Sequence, residues 1–284
     1  MPQPSILSLQ SQVVYGHVGN SAAVLALQRL GFEVWPVPTV LLAHHPGHGR
    51  PKGRTLPPDE VRNLIAGLSD LGALAHCTAL LSGYLGDPGT GAVLLDAVSG
   101  LRAANPAAIF ACDPVIGDAD RGVYVRPGIG EFFRDQAVPA ADILLPNHFE
   151  LEYLTGRKIV TLADALAAAD VLRARGPNLV LCTSLHHAEA EPGSIATLAV
   201  AASGAWLVRT PHIDKVPNGS GDLLSALFLG QRLLGRPVPN ALARAVAATY
   251  GVLKASAGAA EMCLVAAQEQ LAAPSERLAA ERVR

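Results

Sequence analysis

Apolar and polar positions along the chain follow two different periods. Short, nearly solid apolar runs at 6–9, 32–38, 78–82, 109–112, 143–145 and 179–182 are bounded by glycine, proline or polar residues, which predicts buried strands. Between them apolar residues recur every three to four positions, predicting helices at 21–30, 57–70, 89–103 and 161–175. Runs at 195–201 and 205–208 predict a β-hairpin, and further helices are expected to open at 219 and to span 240–257. Strands that are apolar on both faces and alternate with helices predict an α/β fold. The expected architecture is a mostly parallel central sheet flanked by helices on both faces, with a β-hairpin near the C-terminal half.

Local signals refine the boundaries. Asn20 is a candidate N-cap for the first helix and Gly31 its terminator. Asp59 and Glu60, behind Pro58, place acids in the first turn of the second helix. Thr161-Leu162-Ala163-Asp164 has the form of a capping box. The polar stretch 10–20 is expected to be a loop and is not Gly-x-Gly-x-x-Gly, so the dinucleotide fingerprint is absent. The segment 41–54 carries His44, His45, His48, Arg50, Lys52 and Arg54 among prolines and glycines and is not expected to be helical. Three readings stand for it: a plain solvent loop, a metal site (for which no acid lies nearby in sequence), or a mobile flap over a substrate.

Composition narrows the class. The chain has 284 residues, which fits one α/β domain, expected over 1–273, with a charged tail at 274–284 expected to fray. Half of the residues are hydrophobic (50%) and only 5% aromatic, so a large core built mainly from alanine and leucine is expected. A formal net charge of −2 with no basic patch argues against nucleic acid as a partner. No apolar run reaches the roughly 18 residues of a membrane span. The four cysteines are scattered without a Cys-x-x-Cys pair, and the N-terminus lacks the pattern of a secretory signal, so a reduced, cytoplasmic protein is expected.

The candidate chemistry gathers after the strand runs. In sheets of this kind ligands bind past the carboxyl ends of the strands. Tyr84, the pair Asp113 and Asp118, the pair Asn147 and Glu150, and Thr183 with Ser184 all follow such runs. Asp113 and Asp118 suggest Mg²⁺, which takes one or two carboxylates plus phosphate oxygens, although turn capping is an ordinary job for aspartate. Asn147-x-x-Glu150 is also a helix-start signal. Tyr84 suits either a ring that stacks on a flat ligand or a rim tyrosine. The stretch from Val216 to Phe228 reads as a glycine turn, Gly219-Ser220-Gly221-Asp222, opening a buried helix. Unpaired N–H groups and the positive end of the helix dipole make such a start an anion site, most naturally for phosphate. An acid there suits a base acting on an attacking hydroxyl, or an ordinary N-cap.

These residues resemble the ribokinase-like superfamily and, within it, the pyridoxal kinases, from Ser11 to about Ala267. Gln10-Ser11-Gln12-Val13-Val14-Tyr15-Gly16-His17-Val18-Gly19-Asn20 looks like the family's opening segment. Leu81-Ser82-Gly83-Tyr84-Leu85-Gly86, Cys112-Asp113-Pro114-Val115-Ile116-Gly117 and Pro146-Asn147-His148-Phe149-Glu150-Leu151-Glu152 resemble its internal motifs, and Gly219-Ser220-Gly221-Asp222 its anion hole and base. The resemblance implies transfer of the γ-phosphate of MgATP to the 5′-hydroxymethyl of pyridoxal, pyridoxine or pyridoxamine, in vitamin B6 salvage, by a homodimer. It implies that Ser11, His45 and Tyr84 hold the pyridine ring. Asp113, Asp118, Asn147 and Glu150 would serve ATP, Mg²⁺ and a monovalent cation such as K⁺, with Asp113, Asp118 and Glu150 at the metal. Thr183 and Ser184 would contact phosphate and nucleotide, Gly219, Ser220 and Gly221 form the anion hole, and Asp222 is the base. Two departures stand out. His45-Pro46-Gly47 replaces the family's common His-Thr and so lacks a hydroxyl, and Thr183 stands where several bacterial members have lysine. The alternatives are a kinase of another small hydroxymethyl compound, such as hydroxymethylpyrimidine or a sugar, or a non-catalytic pyridoxal phosphate carrier; an intact Asp222 argues against the carrier.

Overall fold

A computed structural model describes residues 4–284; residues 1–3, where the expected 1–273 domain begins, lie outside it. The strands are β1 (Ser5–Val13), β2 (Glu33–Leu42), β3 (Gly53–Thr55), β4 (Cys77–Ser82), β5 (Ile109–Cys112), β6 (Gly117–Asp118), β7 (Gly122–Val123), β8 (Ile143–Leu144), β9 (Leu179–Leu185), β10 (Ser194–Ala201), β11 (Gly204–Pro211) and β12 (Glu281–Arg282). The helices are α1 (Asn20–Arg29), α2 (Pro58–Asp70), α3 (Thr90–Ala104), the short α4 (Ile129–Phe132) and α5 (Val138–Ala140), α6 (His148–Thr155), α7 (Leu162–Arg173), α8 (Ser220–Leu233), α9 (Val238–Ala255) and the short α10 (Glu269–Ala272). Among the described residues ten strands form one sheet in the order β12-β11-β10-β9-β8-β5-β4-β1-β2-β3, and β6 with β7 forms a separate ribbon. The pairs from β2 through β9 are parallel, while β10, β11 and β12 at one margin and β3 at the other are antiparallel.

Alternation along the strands feeds two cores. Leu7, Leu80 and Val180 point to one face, packed under α2, α3, α6 and α7. Ile6, Leu81 and Leu181 point to the other, under α1, α8 and α9. On this second face Ala22, Ala23, Ala26, Ala241, Ala245 and Ala248 are all buried, so helices with small side chains approach the sheet closely. Leu223, Leu227 and Phe228 of α8 are fully buried here. Truncating a buried phenylalanine costs about 3–5 kcal/mol, so this packing fixes the helix whose start carries Gly219 and Asp222. Cys77, Cys112 and Cys182 lie buried in β4, β5 and β9, and all four cysteines are free thiols.

Four expectations change. The polar stretch 10–20 is not all loop: β1 runs on to Val13, pairing with β2 through Gln12↔Leu41 and Val13↔Leu42. Backbone pairing does not need apolar side chains, and the buried Gln10 amide is satisfied by Ser8 Oγ at 2.9 Å. Asn20 does not cap α1; Gly19 occupies the cap, and Asn20 Nδ2 donates to the carbonyls of Gln10 and Val37. The 41–54 segment contains a 3₁₀ turn at Pro46–His48 and ends in β3. The charged tail is docked: β12 pairs with β11, Ala205 N–H donates to Arg284 O at 3.0 Å, and Arg284 bonds Asp170 at 2.9 Å. Glu281 pairs with Arg209 and Arg284 with Asp170 at the sheet margin, which holds the end of the tail in place.

Candidate active site

The strand ends form one row. Leu9 pairs with Ser82, Ser82 with Cys112, Cys112 with Leu144, and an isolated bridge joins Asn147 to Thr183. Parallel register therefore brings Ser11, Tyr84, Asp113, Asn147 and Thr183 to the same edge. The chain passes from β1 to β2 on one side and returns to β4 on the other, so the switch point lies between β1 and β4, the usual place for a ligand. Ser11 and Tyr84 flank it.

The catalytic-type turn sits above this row. Gly219 caps α8 with φ 95°, a left-handed conformation that suits glycine. A side-chain carbon there would lie 2.0 Å from His17 O, so the turn packs directly on the β1–α1 loop. Asp222 is the third residue of the helix and does not cap it; its Oδ2 accepts the Gly19 N–H at 2.8 Å. Gly19 in turn lies on Ser11, whose carbonyl oxygen and Oγ would each be 2.3 Å from a side-chain carbon at residue 19. Burial pushes the Asp222 carboxyl up to about 6, against the lowering effect of the Gly19 hydrogen bond.

Acids cluster beneath it. Asp113 and Glu150 are 7% and 3% exposed. Asp113 Oδ2 accepts from Ser225 Oγ at 2.8 Å. Burial, then the Glu150 and Asp222 carboxylates, hold the Asp113 carboxyl well above its ordinary range. Glu150 Oε2 accepts the Asn147 N–H at 2.9 Å while Asn147 Oδ1 accepts the Glu150 N–H, a capping box that opens α6. Glu150 Oε1 also accepts from Ile116 N–H at 2.9 Å, and burial lifts the carboxyl to about 7. Carboxyls held high by burial, and in Asp113 also by neighbouring carboxylates, ionise readily beside a cation, and oxygen donors of this kind suit Mg²⁺. Asp118 is near enough to act on Glu150, but both its oxygens accept from Arg121, which holds its carboxyl low against partial burial.

A cleft of about 130 Å³, open to solvent, runs between the β9–β11 margin, the start of α8 and the C-terminal half of α9. Thr183, Ser184, His212, Val216, Gly221 and Leu253 are among its walls. Ser184 has φ 49°, an uncommon conformation for a residue other than glycine, and it is exposed at the rim.

The flap brings His45 to the opposite side. His45 is 5% exposed, and its Nε2 lies 2.7 Å from Glu261 Oε1. His48 Nε2 bonds the same oxygen, and Glu261 Oε2 accepts the His17 N–H at 3.2 Å. Burial raises the Glu261 carboxyl, but the two histidines outweigh it and the net shift is downward. Sequence reasoning missed Glu261 and Ser225. Ser225 carries a signal, a hydroxyl one turn after Asp222 in an otherwise apolar run; Glu261 carries none that links it to a histidine 216 residues earlier.

Known proteins share this fold. A family model described as phosphomethylpyrimidine kinase matches residues 56–263. Pyridoxal kinase PdxY of Rubrobacter xylanophilus is 51% identical over 282 residues, 98% of this chain and 97% of the relative. That of Granulibacter bethesdensis is 49% identical over 277 residues, 95% and 97% of the two chains. The solved pyridoxal kinase of Leishmania donovani, in complex with ADP and pyridoxamine, aligns with a TM-score of 0.91 at 26% identity over 99% of both chains. Among the described residues no helix is long and apolar enough to cross a membrane. Likeness at this level runs from end to end of the chain and extends to the fold, and the chain belongs to the pyridoxal kinases of the ribokinase-like superfamily.

Proposed function

We propose that this chain transfers the γ-phosphate of ATP to the 5′-hydroxymethyl group of pyridoxal, and of pyridoxine and pyridoxamine, giving the 5′-phosphates in vitamin B6 salvage. The observation that carries this reading is the Asp222 carboxylate, fixed by one oxygen to Gly19 N–H beside Ser11, at the glycine-turned start of α8. Its other oxygen, Oδ1, is left to take the proton of the substrate hydroxyl. The hydroxyl oxygen then forms its bond to the γ-phosphorus as the bond to the β-phosphate oxygen breaks and ADP leaves. Gly219, Ser220 and Gly221 present amide N–H groups to the charge on the transferring phosphoryl group. Ser11, Tyr84 and His45 hold the pyridine ring. Thr183 and Ser184 meet the nucleotide at the cleft lined by Val216 and Leu253. Asp113 and Glu150, with Asn147 and with Asp118 at the margin, would hold Mg²⁺ and a monovalent cation such as K⁺, directly or through water; Mg²⁺ supplies charge neutralisation on the phosphates. The reading extends to a cytoplasmic homodimer, and four free thiols support a reducing compartment.

The test is MgATP-dependent turnover over pyridoxal, pyridoxine, pyridoxamine, hydroxymethylpyrimidine and ribose. Highest kcat/KM on a B6 vitamer is expected. Hydroxymethylpyrimidine is a second reading, favoured by the family model over 56–263; preference for it, or no turnover at all, overturns the first. Asp113→Ala should raise KM for MgATP by roughly 10- to 100-fold, as when a group supporting a metal is lost, while pyridoxal binding by fluorescence stays near wild type. Equal loss of pyridoxal affinity would contradict this division of labour.

A further inference from the structure

Glu261 lies in the loop after α9, outside every motif the candidate chemistry uses, yet its two oxygens reach two separate segments. Oε1 meets His45 and His48 at the tip of the 41–54 flap. Oε2 meets the His17 N–H, and the carbonyl of that same residue is the group against which Gly219 packs. Two residues on, Gly19 N–H holds Asp222. The chain makes room for the carboxylate: Gly16 has φ 94°, and a side-chain carbon there would lie 2.3 Å from Glu261 Oε2. The flap tip also closes on the catalytic turn, since a side-chain carbon at Gly47 would lie 2.7 Å from Asn218 Nδ2, one residue before Gly219.

His45, His48 and Glu261 present ligand atoms within 4.8 Å of one another, a spacing that invites a metal ion. The hydrogen bonding argues otherwise. Gly47 N–H donates to His45 Nδ1 at 3.1 Å, so the proton of the neutral ring is on Nε2, the nitrogen that faces Glu261. A donor pointed at a carboxylate makes a hydrogen bond, and the same nitrogen has no lone pair for a metal.

We propose that Glu261 is a positioning residue that latches the flap shut over the substrate through His45 and His48 and, by its second oxygen, holds residues 17–19 against the catalytic turn. Flap closure and alignment of the base are thereby one event. The proposal rests on the reading of the chain as a pyridoxal kinase, because it assigns the flap a substrate to cover.

Glu261→Ala, Glu261→Gln and His48→Ala test it beside the wild type, whose turnover of pyridoxal first checks the kinase reading by itself. Glu261→Ala should raise KM for pyridoxal by roughly 10- to 100-fold, the range for losing hydrogen bonds to a charged group, while KM for MgATP moves less than about threefold. It should also increase ATP hydrolysis without pyridoxal, because an open flap admits water. Protease cleavage within 44–54 should become fast and remain so under saturating pyridoxal and a non-hydrolysable ATP analogue. Glu261→Gln keeps one acceptor oxygen but sets an amide NH2 against an N–H donor on the other side, so it should fall between Glu261→Ala and the wild type in KM and protection, as should His48→Ala. Glu261→Ala with wild-type KM and unchanged cleavage overturns the latch. So does a variant that merely melts earlier, with both KM values and cleavage everywhere shifted alike. Stoichiometric Co²⁺ binding to metal-stripped protein, with a visible absorption band lost in His48→Ala, would overturn it in favour of a metal centre. Cleavage needs no turnover and wild-type turnover needs no variant, so failure of the latch and failure of the kinase reading are read separately.

Discussion

Asp222→Asn is expected to lower kcat by roughly 10²–10⁴, the range for losing a general base, with little change in KM for pyridoxal or MgATP. A primary alcohol ionises far above neutral pH and attacks phosphorus poorly without a base beside it. Asparagine keeps the size of the side chain and an oxygen to accept the Gly19 N–H, which Asp222 Oδ2 does at 2.8 Å. It removes only the basicity. An ordinary capping role is excluded by geometry, since Gly219 occupies the cap and Asp222 is the third helical residue. The pH dependence follows from burial. With the folded carboxyl at about 6 and its ordinary value at 3.8, log kcat/KM should rise with pH to about 6 and then level, and the rise should vanish in the variant. Stability carries the opposite sign. A carboxyl whose folded pKa is raised binds more protons folded than unfolded between those two values, so stability falls as pH climbs through them. Asp222→Asn should therefore melt at or above the wild-type temperature at pH 7, and the advantage should shrink below pH 4. Near wild-type kcat, or a lower melting temperature at neutral pH, would reduce Asp222 to a structural residue.

Gly219→Ala is the second large effect. The residue is left-handed at φ 95°, and an added carbon would lie 2.0 Å from His17 O and 2.9 Å from Met262 Cε. A backbone oxygen cannot swing aside as a side chain can, so the turn itself must move. The strain alone costs on the order of 1–3 kcal/mol. Displacing one donor aimed at a developing charge costs about 10²–10³ in kcat. Both losses are expected together, in the melting temperature and in single-turnover phosphoryl transfer. Gly221→Ala is the control: its backbone is ordinary and its side-chain direction meets nothing within 4 Å, so folding should survive and any loss of activity reads on the approach of the phosphate. Gly219→Ala with intact stability and kcat would remove the turn from the mechanism.

Most of the candidate site was legible because each residue follows an apolar run directly. Once the runs at 78–82, 109–112 and 179–182 are read as parallel strands, counting past their ends places Tyr84, Asp113 and Thr183 in one row, and register does the rest. What escaped depends on contacts without a local pattern. His45 and Glu261 meet only because the fold brings residues 216 apart together; the flap looked short of an acid because that acid arrives from the far end of the chain. Asn20 has the composition of a cap, but the tight turn at Gly19 takes that place and frees the amide to tie two strands. The terminal segment reads as solvated because charge is all that composition shows; that Arg209 finds Glu281 and Arg284 finds Asp170 across the sheet margin is visible only in three dimensions.

The buried thiols of the sheet give the molecule a built-in chemical clock. Cys77, Cys112 and Cys182 lie in β4, β5 and β9, and burial raises all three above the usual thiol range, so the reactive thiolate is suppressed while the sheet is closed. Cys263, two residues after Glu261, is half-buried and remains open to reagent. An alkylating reagent therefore marks the latch loop first and the sheet only when it opens. Cys112 directly precedes Asp113 and Cys182 directly precedes Thr183, which makes the slow thiols reporters of how tightly the nucleotide side is held. A ligand that seals that side slows their labelling, and its binding becomes readable as a mass on two cysteines without any label added by design.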